Sequence, residues 1–296
     1  MRVGMIREPS VFLYDKDFIS PTDQLFMGWA VGILGERKDY YQIVTHYGYP
    51  GYLKRDAVKI TMEEKLRRRD AEGRTMVLAM PFADVLEEAR VQGRRLATLD
   101  KGSFVECVDF DRRGDKGSRW EKKGFAKVKT ASGITGYIPQ ISMVKRQDSD
   151  GYLYSDRQQG YFLCQKKMPE HQFRDRVVMF AAGYLNTPYR WAGKSQQGID
   201  CSGLTFMCYL FGGVLIYRDA KLHPGYPVKS ISFDRIKKGD LLYFPGHIGI
   251  YIGDGRYIHA TGNENSFACV INSFYEEDSL YREDLRKSLY AVGSIF

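Results

Sequence analysis

The chain has 296 residues, 44% of them hydrophobic and 27% charged, with a formal net charge of +8. At ~150 residues per domain that length implies two domains, or three where some are small, and the composition excludes intrinsic disorder and collagen-like repeats. The uncharged run 201–217 is broken by Gly212-Gly213 and falls short of the ~20 apolar residues of a membrane helix, so no membrane span is expected.

Residues 1–10 carry no apolar core and no small-residue cleavage site, so the expected setting is cytoplasmic; a secreted form would need a leader upstream. The five cysteines (Cys107, Cys164, Cys201, Cys208, Cys269) are odd in number and form no CxxC pair. That argues against a disulfide framework and a thiolate zinc site. Two basic runs, 65–69 and 112–119, lack interleaved aromatic residues and read as solvated surface, so no nucleic acid partner is expected.

Taken in chain order, residues 1–60 read as short strands separated by turns, a first small all-β barrel. Residues 61–74, with Glu63, Glu64, Lys65, Leu66 and Arg67 ahead of Gly73, read as a linker helix. Residues 75–146 repeat the all-β texture, and Gly51-Tyr52-Leu53 is echoed by Gly136-Tyr137-Ile138, as in an internal duplication. From about residue 150 to 296 the texture changes. Apolar residues from Phe173 to Leu185 follow helical spacing, and a second helix opens at Asp200-Cys201 and ends at Gly212-Gly213. Strand signals follow at 241–244, 247–252 and 257–260. Helices ahead of an antiparallel sheet make an α+β domain.

Cys201 is the leading candidate for chemistry. Asp200 suits a helix N-cap, which places Cys201 in the first turn, where free backbone N–H groups and the helix dipole favour a thiolate. A lowered thiol pKa is therefore expected. The other cysteines read as small buried apolar residues. His247 and His259 flank Gly253-Asp254-Gly255, a hairpin turn. A three-residue loop puts both imidazoles on one face; a two-residue loop puts them on opposite faces. With Cys201 they would form a nucleophile, a base and an orienting group. The rival arrangement is a metal site of His247, His259 and Cys201, which lacks the usual ligand spacing; no metal and no cofactor are expected.

These residues resemble the NlpC/P60 family of papain-like cysteine peptidases. The resemblance rests on Thr187-Pro188-Tyr189-Arg190-Trp191-Ala192-Gly193, Gly198-Ile199-Asp200-Cys201-Ser202-Gly203-Leu204, Lys238-Gly239-Asp240-Leu241-Leu242-Tyr243-Phe244, Gly246-His247-Ile248-Gly249-Ile250 and Tyr257-Ile258-His259-Ala260. It implies Cys201 as nucleophile, His247 as base, His259 as orienting residue and Tyr189 near the oxyanion. Ala192 stands where the family usually has glycine. Upstream, Arg7-Glu8-Pro9-Ser10, Gly48-Tyr49-Pro50-Gly51-Tyr52 and Pro81-Phe82-Ala83-Asp84 resemble a subfamily with two bacterial SH3-like (SH3b) domains before the peptidase. That subfamily comprises γ-D-glutamyl-L-diamino acid endopeptidases. The resemblance implies a murein tripeptide or tetrapeptide substrate with a free L-Ala amine, a substrate-binding set of Asp200, Ser202, Tyr49, Asp219, Trp29 and Trp191, and Asp200 as counter-charge to the ammonium. Trp29 stands where the subfamily often has a glutamate. Polymeric peptidoglycan, with the SH3b domains as wall anchors, is the alternative substrate.

Overall fold

The computed structural model describes residues 2–108, 124–146 and 168–296. The basic run 112–119 and Cys164 lie outside them. The chain divides into two compact units, residues 1–156 and 157–296.

The first unit holds two antiparallel sheets of seven strands. One is built from β1 (Arg2–Ile6), β2 (Ser10–Tyr14), β3 (Pro21–Phe26), β4 (Ala30–Arg37), β5 (Tyr40–Thr45), β6 (Pro50–Lys54) and β7 (Val58–Thr61). The helix α1 (Glu63–Ala71) follows. Of its described residues only Leu66 is buried, and Glu63 pairs with Arg67 one turn on at 2.7 Å. The basic run at 65–68 is thus a solvated helix face. The second sheet is built from β8 (Thr75–Leu78), β9 (Phe82–Leu86), β10 (Arg95–Asp100), β11 (Phe104–Cys107), β12 (Phe125–Lys129), β13 (Thr135–Pro139) and β14 (Met143–Lys145).

The strand orders are β3-β2-β6-β5-β4-β1-β7 and β10-β9-β13-β12-β11-β8-β14. Each strand of the second sheet takes the place of the strand seven earlier in the first. A single 3₁₀ turn precedes the last strand of both, at Arg55–Ala57 and Gln140–Ser142. The duplication suggested by two short sequence echoes is therefore complete at the level of topology. The sheets meet where Trp29 donates its indole N–H to the Gly102 carbonyl at 2.8 Å and the Phe104 N–H donates to the Met27 carbonyl at 2.8 Å.

In the second unit, α2 (Glu170–Ala182) and α3 (Cys201–Phe211) precede all six strands of an antiparallel sheet. Between the helices a two-stranded ribbon, β15 (Lys194–Ser195) and β16 (Gly198–Ile199), leads into α3. The sheet comprises β17 (Lys229–Ile231), β18 (Leu241–Phe244), β19 (His247–Gly253), β20 (Arg256–Thr261), β21 (Ala268–Ser273) and β22 (Ala291–Ser294), in the order β17-β22-β18-β19-β20-β21. The helix α4 (Glu283–Ser288) leads into β22, which lies inside the sheet between β17 and β18. The α+β architecture agrees with the sequence reading; the interior position of the last strand was not legible there.

Helix α2 is tied to the sheet by the buried Arg174. Its guanidinium donates to Asp240 Oδ1 at 2.8 Å, the Lys238 carbonyl at 2.9 Å and Ser294 Oγ at 3.2 Å, and its Nε to Glu170 at 2.8 Å. A buried guanidinium is tolerated because each donor edge finds an acceptor. Helix α3 is buried from Cys201 to Leu210, which explains why its sequence is apolar on every side rather than striped. A second apolar cluster, Leu242, Phe244, Tyr257, Phe274, Leu285 and Val292, lies under α4.

Among the described residues, no helix is long and apolar enough to cross a membrane.

Candidate active site

Asp200 caps α3. Its Oδ1 accepts from the Gly203 N–H at 2.5 Å, and Cys201 is the first helical residue. Gly203 is required by close approach, since a Cβ there would collide with the Gly193 carbonyl and press on the capping carboxylate. The loop before the helix contains Ala192, whose φ of 62° lies in the left-handed region. This is the position where the resembling family usually has glycine, and the backbone explains that preference.

The sulfur of Cys201 accepts hydrogen bonds from the backbone N–H groups of Ser202 and Ile248. Ile248 follows His247 in β19, so the thiol lies against the strand that carries the base. Burial and the nearby Asp200 charge nevertheless outweigh these donors and the Arg218 charge, and push the thiol up to about 12. The lowered thiol pKa expected from the helix terminus is thus overturned, because desolvation of the charged form exceeds the stabilisation from two N–H groups.

The hairpin of β19 and β20 decides the histidine geometry. Asp254 and Gly255 form a two-residue turn with φ of 49° and 66°, both left-handed as a type I′ hairpin requires. Gly253 pairs with Arg256, but a bulge between Tyr251 and Gly253 shifts the register, so that Tyr251 faces Tyr257 and Ile250 faces Ile258. The extra residue restores the face that a two-residue turn alone would have lost. His247 and His259 consequently meet, with His247 Nε2 2.7 Å from His259 Nδ1. Gly249 lies opposite His259, and a side chain there would press on the His259 Cβ at 3.3 Å. His259 Nε2 in turn lies 2.8 Å from Asn272 Oδ1.

Burial pushes His247 down to about 3, with the charged form of His259 adding to the effect, and burial pushes His259 down to about 4. At neutral pH the resting pair is therefore an uncharged thiol and an uncharged imidazole. The rate of Cys201 alkylation by iodoacetamide is accordingly expected to climb about tenfold per pH unit from pH 6 to 10. A plateau beginning in the acid range would instead mark a preformed thiolate–imidazolium pair. The measurement is the second-order inactivation rate against pH.

The two facing histidine nitrogens are spaced for a hydrogen bond to each other, not for a shared metal ion. Two nitrogens bound to one tetrahedral zinc ion stand about 3.3 Å apart. Here they share a hydrogen bond at 2.7 Å, and the remaining His259 nitrogen is taken by Asn272. No cluster of three metal-ligating side chains occurs among the described residues.

Tyr189 packs edge-on to Phe267, and its phenol is raised by burial and by the Cys201 and Asp200 charges, so it stays protonated and able to donate near the sulfur. Asp200 is buried against Arg218, Nη2 to Oδ2 at 3.4 Å, and Arg218 also donates to Ser202 Oγ at 2.7 Å. The structure thus brings Cys201, His247, His259, Tyr189, Asp200 and Ser202 together. Trp191 is 63% exposed and Asp219 partly buried, both in this unit. Trp29 and Tyr49 belong to the first unit. Trp29 is 2% exposed there, enclosed by Phe26, His46 and Tyr47, and Tyr49 is half-buried on a turn closed by Thr45.

Two site residues escaped the sequence reading. Arg218 adjoins Asp219 in sequence, but its partner Asp200 is fixed only by the fold. Asn272 lies opposite Tyr257 on β21, diagonal to His259, a relation that no local signal encodes.

Residues 186–282 match the NlpC/P60 family. Dipeptidyl-peptidase 6 of Lysinibacillus sphaericus is 38% identical over 283 residues, covering 93% of this chain and 92% of that protein. The chain belongs to the NlpC/P60 peptidase family. The gamma-D-glutamyl-L-lysine dipeptidyl-peptidase of Bacillus subtilis strain 168 is 31% identical over 112 residues, 34% of this chain and 38% of its own length. The crystal structure of an NlpC/P60 family protein from Bacillus cereus ATCC 10987 superposes with a TM-score of 0.73 at 16% identity, covering 98% of both chains. The whole NlpC/P60 chain, both units included, therefore shares that protein's fold.

Proposed function

We propose that this NlpC/P60 peptidase hydrolyses the γ-D-glutamyl bond to a diamino acid, diaminopimelate or lysine, in murein tripeptides or tetrapeptides with a free N-terminal L-Ala. The observation that carries the chemistry is the placement of Cys201 at the first turn of α3 against the strand bearing His247, with His259 behind it. The substrate class is taken from the two relatives named as dipeptidyl-peptidases, one of them acting on a γ-D-glutamyl-L-lysine bond.

As the Cys201 sulfur attacks the γ-carbonyl carbon, His247 takes the thiol proton. The Tyr189 phenol and the backbone N–H groups near the sulfur are the proposed donors to the tetrahedral oxyanion. Collapse breaks the C–N bond, and His247 returns the proton to the departing amine. Water, deprotonated by His247, then attacks the thioester carbonyl, releasing L-Ala-γ-D-Glu and regenerating the thiol. Asp200, Ser202 and Asp219, with Trp191 as a further contact, form the proposed binding set; Trp29, enclosed within the first unit, is not retained in it. The buried Arg218 already pairs with Asp200, so a counter-charge role for Asp200 would share its carboxylate between the guanidinium and the ammonium. The two repeated sheets are proposed as SH3b domains, and a cytoplasmic setting goes with free peptides as substrate.

A second reading, hydrolysis of polymeric peptidoglycan, is favoured by one relative, the probable peptidoglycan endopeptidase LytE of Bacillus subtilis, 31% identical over 108 residues. The test is incubation with L-Ala-γ-D-Glu-meso-diaminopimelate and its N-acetylated form, followed by mass spectrometry. Cleavage of the free-amine peptide alone is expected. Equal cleavage of both would shift the assignment to the polymer.

A further inference from the structure

The hydrogen-bond chain behind His247 extends one residue beyond His259, and its far end fixes the proton positions along it. Asn272 Nδ2 donates to the Leu280 carbonyl at 2.8 Å. A carbonyl accepts and never donates, so the Asn272 amide has one orientation, with Oδ1 towards His259. Oδ1 also only accepts. The proton between Asn272 and His259 must then sit on His259 Nε2. In an uncharged His259, Nδ1 is left bare and must accept from His247 Nε2. In an uncharged His247 the remaining nitrogen, Nδ1, is bare and basic.

We propose that Asn272 is a positioning residue for the peptidase reaction: anchored on the Leu280 carbonyl, it sets the tautomers of His259 and His247 so that Nδ1 of His247 is the base for the Cys201 thiol. This rests on the reading of Cys201 and His247 as nucleophile and base. Without the acceptor at 272, His259 gains the opposite tautomer, donating from Nδ1 to His247 Nε2. His247 would then carry its proton on Nδ1 and be unable to accept one there. Leu280 is itself fixed, its carbonyl also accepting from the Ser273 N–H at 2.9 Å and its own N–H donating to Asp278 at 3.0 Å. Arg282 and Asp284, paired with each other at 2.6 Å, are the charged groups acting on both rings, and the variants below leave them unchanged.

The test compares Asn272→Leu and Asn272→Asp in the full chain. Asn272→Leu removes the acceptor and is expected to lower kcat about 10–100-fold, part of what a general base contributes, with KM unchanged. Asn272→Asp keeps an acceptor for His259 but loses the donor to Leu280. It is expected to recover most of kcat, with the acid limb of the pH profile moved upward because the added negative charge favours the imidazolium forms. A role confined to holding the Leu280 segment predicts the reverse, Asn272→Asp as impaired as Asn272→Leu with an unmoved acid limb, and that result overturns the proposal, as does wild-type kcat in Asn272→Leu. Histidine ¹⁵N chemical shifts supply a readout that needs neither substrate nor the folding of a variant. Wild-type protein must show His247 protonated at Nε2 and bare at Nδ1; the opposite tautomer refutes the assignment even if the proposed peptide is not cleaved.

Discussion

Replacing Cys201 by Ala is expected to abolish hydrolysis of the γ-D-glutamyl peptide, a loss on the order of 10⁴–10⁶-fold, with the melting temperature moved by only a few degrees. The two halves of this expectation have separate physical causes. Activity is lost because no other group at the first turn of α3 can form the thioester. Stability is kept because the sulfur is buried and uncharged at rest. Removing it deletes two weak hydrogen bonds from Ser202 and Ile248 but leaves the Asp200 cap intact. Cys201→Ser sharpens the result. The hydroxyl keeps the size and the acceptor role of the thiol, yet its proton is far harder to remove, so it too should be inactive. Residual turnover in Cys201→Ala near the wild-type rate would displace the nucleophile altogether. The remaining described cysteines, Cys107, Cys208 and Cys269, are buried.

How much of this site the sequence disclosed follows the range of each interaction. The cap of α3 is local: Asp200 and Gly203 are three residues apart, so the start of the helix and the position of Cys201 could be read directly. The histidine pair was legible only conditionally. Asp254 and Gly255 signal a tight turn, but the bulge beyond Tyr251, which decides the shared face, leaves no mark in composition. Asn272 and Arg218 depend on strand register and on a buried ion pair, both set by tertiary contacts. The direction of the Cys201 shift is hidden from the sequence for the same reason: proximity to a helix terminus is a sequence property and burial is not. In the first unit, Gly51-Tyr52 and Gly136-Tyr137 disclosed a duplication, whereas its full extent emerged only from the matching strand orders.

Arg218→Met is expected to destabilise the second unit by about 3–5 kcal/mol, the usual cost of leaving one member of a buried ion pair without its partner. Arg218 and Asp200 are 2% and 5% exposed, so water cannot readily replace the guanidinium. The same change should slow catalysis. Asp200 raises the Cys201 thiol and Arg218 lowers it; with the guanidinium gone, Asp200 acts unopposed, and thiolate formation during attack becomes harder. The Asp200→Asn, Arg218→Met double variant separates these effects. Asn remains a good N-cap, so the helix start survives while both charges disappear. Thermal unfolding should then show much of the lost stability restored, since a neutral pair carries no uncompensated charge. Catalysis divides the same way: if the balance of charges at the sulfur is what matters, the double variant alkylates at Cys201 faster than Arg218→Met at equal pH. Equal stability of Arg218→Met and the wild type would mean that Asp200 tolerates solitary burial, and the ion pair would then be incidental to both the fold and the thiol.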